Sequence, residues 1–431
     1  MRRWLDATSD GFEAAFTELL GMKRETDEDV SAAVRGIIKD VRSRGDAALV
    51  ELSNKFDRAD VTLETLRLTE GEIAAAREDC APKTLVALET AARRIEDYHR
   101  RQLPPDASYT DETGAKLGWR FTPLDSVGLY VPGGTASYPS SVLMNAIPAV
   151  VAGVKRLVMV TPASGGRINP LSIEAARLAG VTEIYRIGGA QAVAALAYGT
   201  KTIQAVDKIV GPGNAYVAAA KREVFGTVGI DSVAGPSEIL IIADAANNPD
   251  WIAADLLSQA EHDMSAQSIL ITDDADFAHA VDAAVEKALA VLPRKSIAEA
   301  SWRDYGAIIV VESLAAAAPL ANRIAAEHLE LAIADPEGYL PLIRHAGAIF
   351  LGRHTPEAMG DYIAGPNHVL PTARTARFSS GLSVLDFVKR TTLLSLTPGA
   401  IATLGPQAIA LAEAEGLSAH ARSVAKRLGD D

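Results

Sequence analysis

A chain of 431 residues with 48% apolar side chains can fill two or three buried cores, which excludes a disordered protein. Its formal charge of -13 has no compensating basic block, so nucleic acid or an anionic membrane surface would meet a mostly repulsive field. The opening MRRWLDATSD lacks the apolar core of a secretory leader, and the longest apolar stretch, SVLMNAIPAVVAGV, is too short to span a bilayer and carries Asn145 and Pro148; a soluble cytoplasmic protein with no nucleic-acid or membrane partner is expected.

In chain order, the first hundred residues read as helices. DEDVSAAVRGIIKDVRSRGDAALVELSNKFD and KTLVALETAARRIEDYHRRQLP both place apolar residues at three- and four-residue spacing. The lone cysteine, Cys80 in AREDCAPK, has neither a base nor an oxyanion site near it in sequence and reads as an incidental helix-end residue in a reducing compartment. From Asp125 the texture changes to short β-branched runs, each closed by a glycine turn and followed by a helical stretch: SVGLYVPGG, RLVMVTPAS, EIYRIGGAQ and DKIVGPGN. A second set follows AGPSE, namely EILIIAD, SILITDD, GAIIVVES and GAIFLG. The expected fold is α/β, with two tandem Rossmann-like parallel-sheet domains, an α-rich N-terminal arm and a small helical C-terminal tail. In residues, the arm is 1–26, the first α/β domain 27–129 plus 238–388, the second 130–237, and the tail 389–431. Beyond Lys389 the strand pattern is lost, and a tail that small must pack on another domain or subunit.

Several short segments pair histidines with carboxylates or amides. DWIAADLLSQAEHDM should be a helix opening near Asp250, which puts Gln259 and His262 on one face, able to share a cation or simply to hydrogen-bond. In NRIAAEHLELAIAD, read as helix, adjacent Glu327 and His328 splay about 100° apart, which suits two proton-transfer tasks as well as it suits a charged surface. The glycine- and proline-rich loop GDYIAGPNHVLPT offers Asp361 and His368, and the tail offers Glu415 and His420. The turns GLYVPGGT, RIGGAQAV and VGPGNAYVAAAK bring Tyr130, Gln191 and Asn214 to helix N-termini able to meet phosphate, or the glycines merely make corners; no GxGxxG is followed by an acidic residue about twenty positions on.

Taken together, YPSSVLMNAIPA, GPGNAYVAAAK, AGPSE, LLSQAEH, EHLEL, AGPNHVLPT, SSGLSVLDF and EGLSAHA make nearly the whole chain resemble the histidinol dehydrogenases. That resemblance implies oxidation of L-histidinol through an aldehyde to L-histidine with two NAD, by a homodimer holding one zinc per subunit. It implies zinc ligands at Gln259, His262, Asp361 and His420, and proton acceptors at Glu327 and His328. It also implies substrate contacts at Ser237, His368 and Glu415 alongside the ligands and His328, and NAD contacts at Tyr130, Gln191 and Asn214. The tail then crosses to the partner subunit, carrying Glu415 and His420 into its site. A neutral imidazole at His328 suits the alcohol step, and with Cys80 unsuited, the aldehyde step is expected to use a hydrate whose attacking water Glu327 activates. The chain departs from the family's usual residues at Ser232 and Val233, at Asp263 and Met264, and at Ala373 and Arg374, where glycines are common; these departures bear on loop shape and cofactor affinity. Two other readings remain: a sister dehydrogenase for another small alcohol such as a sulfonated diol, and a non-enzymatic zinc-dependent or small-molecule-binding protein on the same scaffold. Retention of His368 and Glu415 opposes the first, and retention of both Glu327 and His328 opposes the second.

Overall fold

The structure is a computed structural model describing residues 2–22, 30–133, 138–233 and 235–429. Strand β1 (Arg3–Asp6) opens the chain and is followed by helices including Phe12–Gly21, Ser31–Arg44, Asp46–Phe56 and Pro82–Arg100. After β2 (Ala107–Thr110) and β3 (Lys116–Pro123) come the strands of the first parallel unit: β4 (Ser126–Tyr130), β5 (Arg156–Val160), β6 (Glu183–Tyr185), β7 (Lys208–Val210) and β8 (Gly229–Ile230). The second unit holds β9 (Glu238–Ala243), β10 (Gln267–Thr272), β11 (Ala307–Val310), β12 (His328–Ala332) and β13 (Ala348–Leu351), and β14 (Val388–Ser395) precedes the helices Pro398–Ala414 and Ser418–Leu428.

Two parallel sheets result, one in the order β6-β5-β4-β7-β8 and one in the order β1-β11-β10-β9-β12-β13. Each sets its first strand centrally, with the next two strands on one side and the following two on the other, the doubly wound arrangement. The continuous apolar runs follow from this. Every residue of β9 and β10 is buried, because helices cover both faces of a parallel sheet. Strands β14, β3 and β2 form a separate antiparallel sheet. Among the described residues no helix is long and apolar enough to cross a membrane.

The two parallel sheets lie where the sequence places them, while the flanking segments differ from expectation. The 1–26 arm is not wholly helical: Arg3–Asp6 forms an edge strand parallel to β11, and four residues are too few for a period to show. The expected boundary at 26/27 and the start of the helix at Asp27 lie outside the described residues. The helices between residues 31 and 100 pack on the five-stranded sheet, and the Pro82–Arg100 helix also packs on the 363–388 segment, where Leu382, Val384 and Phe387 join its core and Ile363 O and Ala364 O accept from Arg94. Val34, Ile38, Leu49 and Leu52 share a core with Tyr130, Val193 and Ile209, and Leu88 and Ile95 share one with Val127 and Met144. Phe12, Phe16 and Leu19 pack instead under the six-stranded sheet. The expected limit at residue 130 falls on the last residue of β4, and the tail opens with a strand, since β14 pairs with β3 along its whole length.

Candidate active site

The candidate site gathers at the amino edge of the six-stranded sheet. The Pro249–Ala260 helix leaves the carboxyl end of β9 and returns alongside the sheet, so its last turn reaches that edge. Its N-cap is Asn248, whose side chain accepts from Asp250 N, with Pro249 at the first helical position where a missing N–H costs nothing. The helix stops at Ala260, so His262 lies in the following turn, yet its Nδ1 stands 3.3 Å from Gln259 Nε2. Gln259 is fully buried and its Oε1 has no hydrogen-bond partner.

EHLEL is not helix. The Leu314–Ile324 helix ends on Ala325, which takes the left-handed conformation (φ 50), and the chain then enters β12 at His328. Glu327 exchanges backbone contacts with Glu238: its Oε2 accepts from Glu238 N at 2.9 Å, and its own N–H donates to Glu238 Oε2 at 3.3 Å. His328 Nδ1 lies 2.9 Å from the Glu238 carbonyl, a contact that requires N–H on Nδ1 and leaves Nε2 as the basic nitrogen. Nε2 is buried without a hydrogen-bond partner and points toward Asp361 Oδ1, 3.7 Å away.

Asp361 and Glu357 stand one turn apart on the short helix Glu357–Tyr362. Gly360 lets this helix press on β13, because a Cβ there would lie 2.6 Å from the Phe350 ring. His368 follows in the loop, its Nδ1 3.9 Å from Asp361 Oδ1 and its Nε2 3.4 Å from Ser141 Oγ, so the Pro139–Ala152 helix of the five-stranded unit also borders the site. Asn367 ties that loop down by donating to Met144 O at 2.7 Å. Ser237 immediately precedes β9 and its carbonyl accepts from Gln267 N.

The structure therefore brings together Gln259, His262, Glu327, His328, Asp361 and His368, with Ser237 at the same edge. It does not bring Glu415 and His420 there within this chain. Both are exposed in the tail, and among the described residues no side-chain hydrogen bond or ion pair ties them to the cluster. Tyr130, Gln191 and Asn214 stand apart, at the carboxyl ends of β4, β6 and β7. The Tyr130 hydroxyl accepts from Gly189 N at 3.1 Å, the buried Gln191 Nε2 has no partner, and Asn214 caps the Ala215–Val224 helix by accepting from Tyr216 N and Val217 N. Glycine is required beside them, since a Cβ on Gly211 (φ 109) would lie 2.1 Å from Tyr130 O.

A group of carboxyls near His328 escaped the sequence reading: the buried Glu357, Glu330 and Glu238 and the half-buried Asp255. Glu357 is buried, its Oε1 3.6 Å from His328 Nδ1 and its Oε2 unpartnered, and its N–H donates to Glu330 Oε1 at 2.7 Å. Two spacings could have found them. Glu330 is two residues from His328 on a strand, hence on the same face, and Glu357 is four before Asp361 on a helix. Burial raises the pKa of Glu357 to about 8 and that of Asp255 to about 7. Burial opposes charge on His328, but the Glu357, Glu327 and Asp361 carboxylates outweigh it and push the imidazole up to about 10, above the neutral range expected from sequence. Desolvation lowers His262 and His368, opposed in both by Asp361. Burial would raise Asp361, but the facing His328 and the neighbouring His368 and His262 imidazoles outweigh it and hold the carboxyl below its usual range.

The departures from the family's usual residues have structural expression at two points. Ala373 (φ 51) and Arg374 (φ 64) both adopt the left-handed backbone that glycine takes at little cost, and Ala373 N donates to Glu238 Oε1 at 3.1 Å. Asp263 Oδ1 accepts from Ser265 N and so closes its own turn.

Residue types fit a divalent ion here: an amide oxygen, an imidazole and a carboxylate converge, and the Gln259 oxygen is buried with nothing to bond. His328, Glu357 and Asp361 also offer ligand atoms within 4.8 Å of one another. Residues 21–428 match the family model described as histidinol dehydrogenase. Histidinol dehydrogenase of Rhizobium meliloti is 67% identical over 424 residues, covering 98% of each chain, and that of Agrobacterium fabrum is 65% identical over 431 residues, covering 100% of each. The crystal structure of histidinol dehydrogenase from Elizabethkingia anophelis superposes with a TM-score of 0.95 at 38% identity, covering 99% of this chain and 98% of that one. The chain belongs to the histidinol dehydrogenase family.

Proposed function

We propose that the protein oxidises L-histidinol through L-histidinaldehyde to L-histidine, reducing two NAD in succession, in a homodimer with one zinc ion per subunit. The observation that carries this reading is the pair of buried, unpartnered atoms Gln259 Oε1, on the residue beside His262, and His328 Nε2, 3.7 Å from Asp361 Oδ1, where a metal-bound substrate would meet a base. Gln259, His262 and Asp361 would hold the ion together with His420 of the partner subunit. When bound, zinc orients the substrate through its amine and imidazole nitrogens, and NAD accepts the hydride.

The remaining work falls to the chain's own groups. His328, its Nδ1–H held by the Glu238 carbonyl, takes the hydroxyl proton at Nε2 in its deprotonated form, which a pKa of about 10 makes the minority form at neutral pH. Glu327 activates the water that attacks the aldehyde carbon, since Cys80 lies elsewhere, in the turn after the short helix Ala76–Asp79, and burial raises its thiol further. Ser237 and His368 line the substrate, with Glu415 of the partner subunit. Tyr130, Gln191 and Asn214 contact the cofactor. Support for a shared site comes from the tail, where Leu393, Leu394, Leu404, Leu411 and Leu417 are exposed apolar side chains, Leu411 at 67%, beside Glu415 and His420.

The test is a count of NADH formed per L-histidinol, with zinc-loaded protein, limiting substrate and excess NAD. Two are expected. One would mean that the aldehyde step belongs to another protein, and none would move the activity to a different small alcohol. Verified removal of zinc should abolish turnover through lost substrate binding, and a fully active metal-free enzyme would contradict the assignment.

A further inference from the structure

The five-stranded sheet has the strand order of a dinucleotide-binding unit, third-second-first-fourth-fifth, but lacks the expected acidic residue. In such units a carboxylate at the end of the second strand reads the ribose 2′-hydroxyl. Here the second strand, β5, ends at Val160 and runs on through Thr161, Pro162 and Ala163, none of them acidic.

A carboxylate arrives at that place from outside the sheet. Asp57 is the C-cap of the Asp46–Phe56 helix, and the chain just after it lies along the loop that follows β5: Gly165 N donates to Arg58 O at 3.0 Å. A Cβ on Gly188 would stand 3.1 Å from Asp57 Oδ2 and 2.6 Å from Pro162 Cγ, and one on Gly133 would stand 2.7 Å from Pro162 O. Asp57 therefore stands beside the loop after β6 and close to Pro162 of the loop after β5, which in turn meets Gly133 after β4. Its Oδ2 is buried and has no hydrogen-bond partner of ordinary geometry. Burial raises its carboxyl above the usual range, the Gly188 amide opposing. Arg186, just before Gly188 in the loop after β6, is already engaged by Gly166 O, Thr65 O and Glu72.

A second observation points to a ligand at the same place. Gln191, in the first turn of the Gly189–Tyr198 helix, is 1% exposed, its Nε2 has no partner, and its Oε1 folds back to 2.7 Å from where a Cβ on Gly189 would lie. An unused amide donor and an unused carboxylate oxygen thus flank one helix N-terminus, which carries partial positive charge suited to a pyrophosphate.

Resting on the reading that NAD is the cofactor, we propose that Asp57 accepts a hydrogen bond from the 2′-hydroxyl of the adenosine ribose and so selects NAD over NADP. A carboxylate facing that hydroxyl gains a charge-assisted bond with NAD, and repels the phosphate that NADP carries on the same oxygen.

The test is titration calorimetry on the zinc-loaded protein with NAD, NADP and 2′-deoxy-NAD. Wild type should bind NAD about tenfold more tightly than 2′-deoxy-NAD, as for one charge-assisted hydrogen bond, and should bind NADP more weakly still. Asp57→Asn should weaken NAD by about the same factor, leave 2′-deoxy-NAD nearly unchanged and narrow the gap to NADP. Equal affinity of wild type for NAD and 2′-deoxy-NAD would overturn the proposal without any variant, so a folding defect in Asp57→Asn cannot shield it. Equal loss of both ligands in a folded Asp57→Asn would also overturn it, as damage to the loop and not to a ribose contact. Failure of the zinc-loaded wild type to bind NAD at all would remove the cofactor reading and this assignment together.

Discussion

In the five-stranded sheet the groups able to meet a ligand stand at the carboxyl ends of the strands: Tyr130 after β4, Gln191 after β6 and Asn214 after β7, each beside a glycine turn. In the six-stranded sheet, wound in the same order, the titratable cluster stands at the opposite end, with Glu238 and His328 opening β9 and β12 and Gln259 at the returning end of a helix. The first follows the general rule for open α/β sheets, in which ligands sit at the carboxyl edge near the switch in strand order. The second departs from it. The difference teaches that one architecture serves two purposes here. On the proposed reading, one sheet would present backbone amides and neutral polar groups to a phosphorylated ligand, and the other buries carboxylates around three imidazoles, His262, His328 and His368.

Breaking the six-stranded side should give the largest effects. His328→Ala should lower kcat by roughly 10²- to 10⁴-fold, the span of a lost general base, with NAD affinity retained; rapid-mixing kinetics together with calorimetry check both halves. Glu327→Gln should slow aldehyde oxidation by roughly 10²-fold and alcohol oxidation less, and equal slowing in single-turnover experiments would remove its separate role. Mixing the inactive chains His262→Ala and His420→Ala should restore roughly a quarter of wild-type activity, since half the dimers are hybrids with one intact site of two. No recovery after demonstrated subunit exchange would place His420 in its own chain's site.

Smaller effects sharpen the other side of the comparison. Asn214→Ala removes the N-cap of the Ala215–Val224 helix and should cost about 1 kcal/mol in urea unfolding, besides weakening NAD. Ala373→Gly relieves a left-handed alanine beside Glu238 and should raise stability by up to about 1 kcal/mol, read as a higher midpoint at unchanged slope.

Strands were legible in the sequence where burial on both faces makes a continuous apolar run. EILIIAD and SILITDD announce β9 and β10, and SVGLY and RLVMV announce β4 and β5. EHLEL was not legible as strand, because one face of β12 carries His328 and Glu330, and polar residues at that spacing beside an alanine-rich helix mimic a charged helix surface. β1 and β14 were missed as edge strands, whose partners β11 and β3 lie far away in sequence. Among site residues, Gln259, His262 and Asp361 were joined only through the family resemblance, since the spacing of Gln259 and His262 equally allowed a plain hydrogen bond. Glu357 and Asp57 did not stand out, since a lone acid reads as solvated surface until folding buries it against His328 in one case and Gly188 in the other.

The most direct measurement of this division of labour compares Gln259→Ala with Gln191→Ala, reading bound zinc by elemental analysis and NAD affinity by calorimetry in each. Loss of zinc with unchanged NAD affinity in Gln259→Ala, and loss of NAD affinity with full zinc in Gln191→Ala, is the predicted result. Both quantities falling together in either variant would contradict separate metal and cofactor edges on the two sheets.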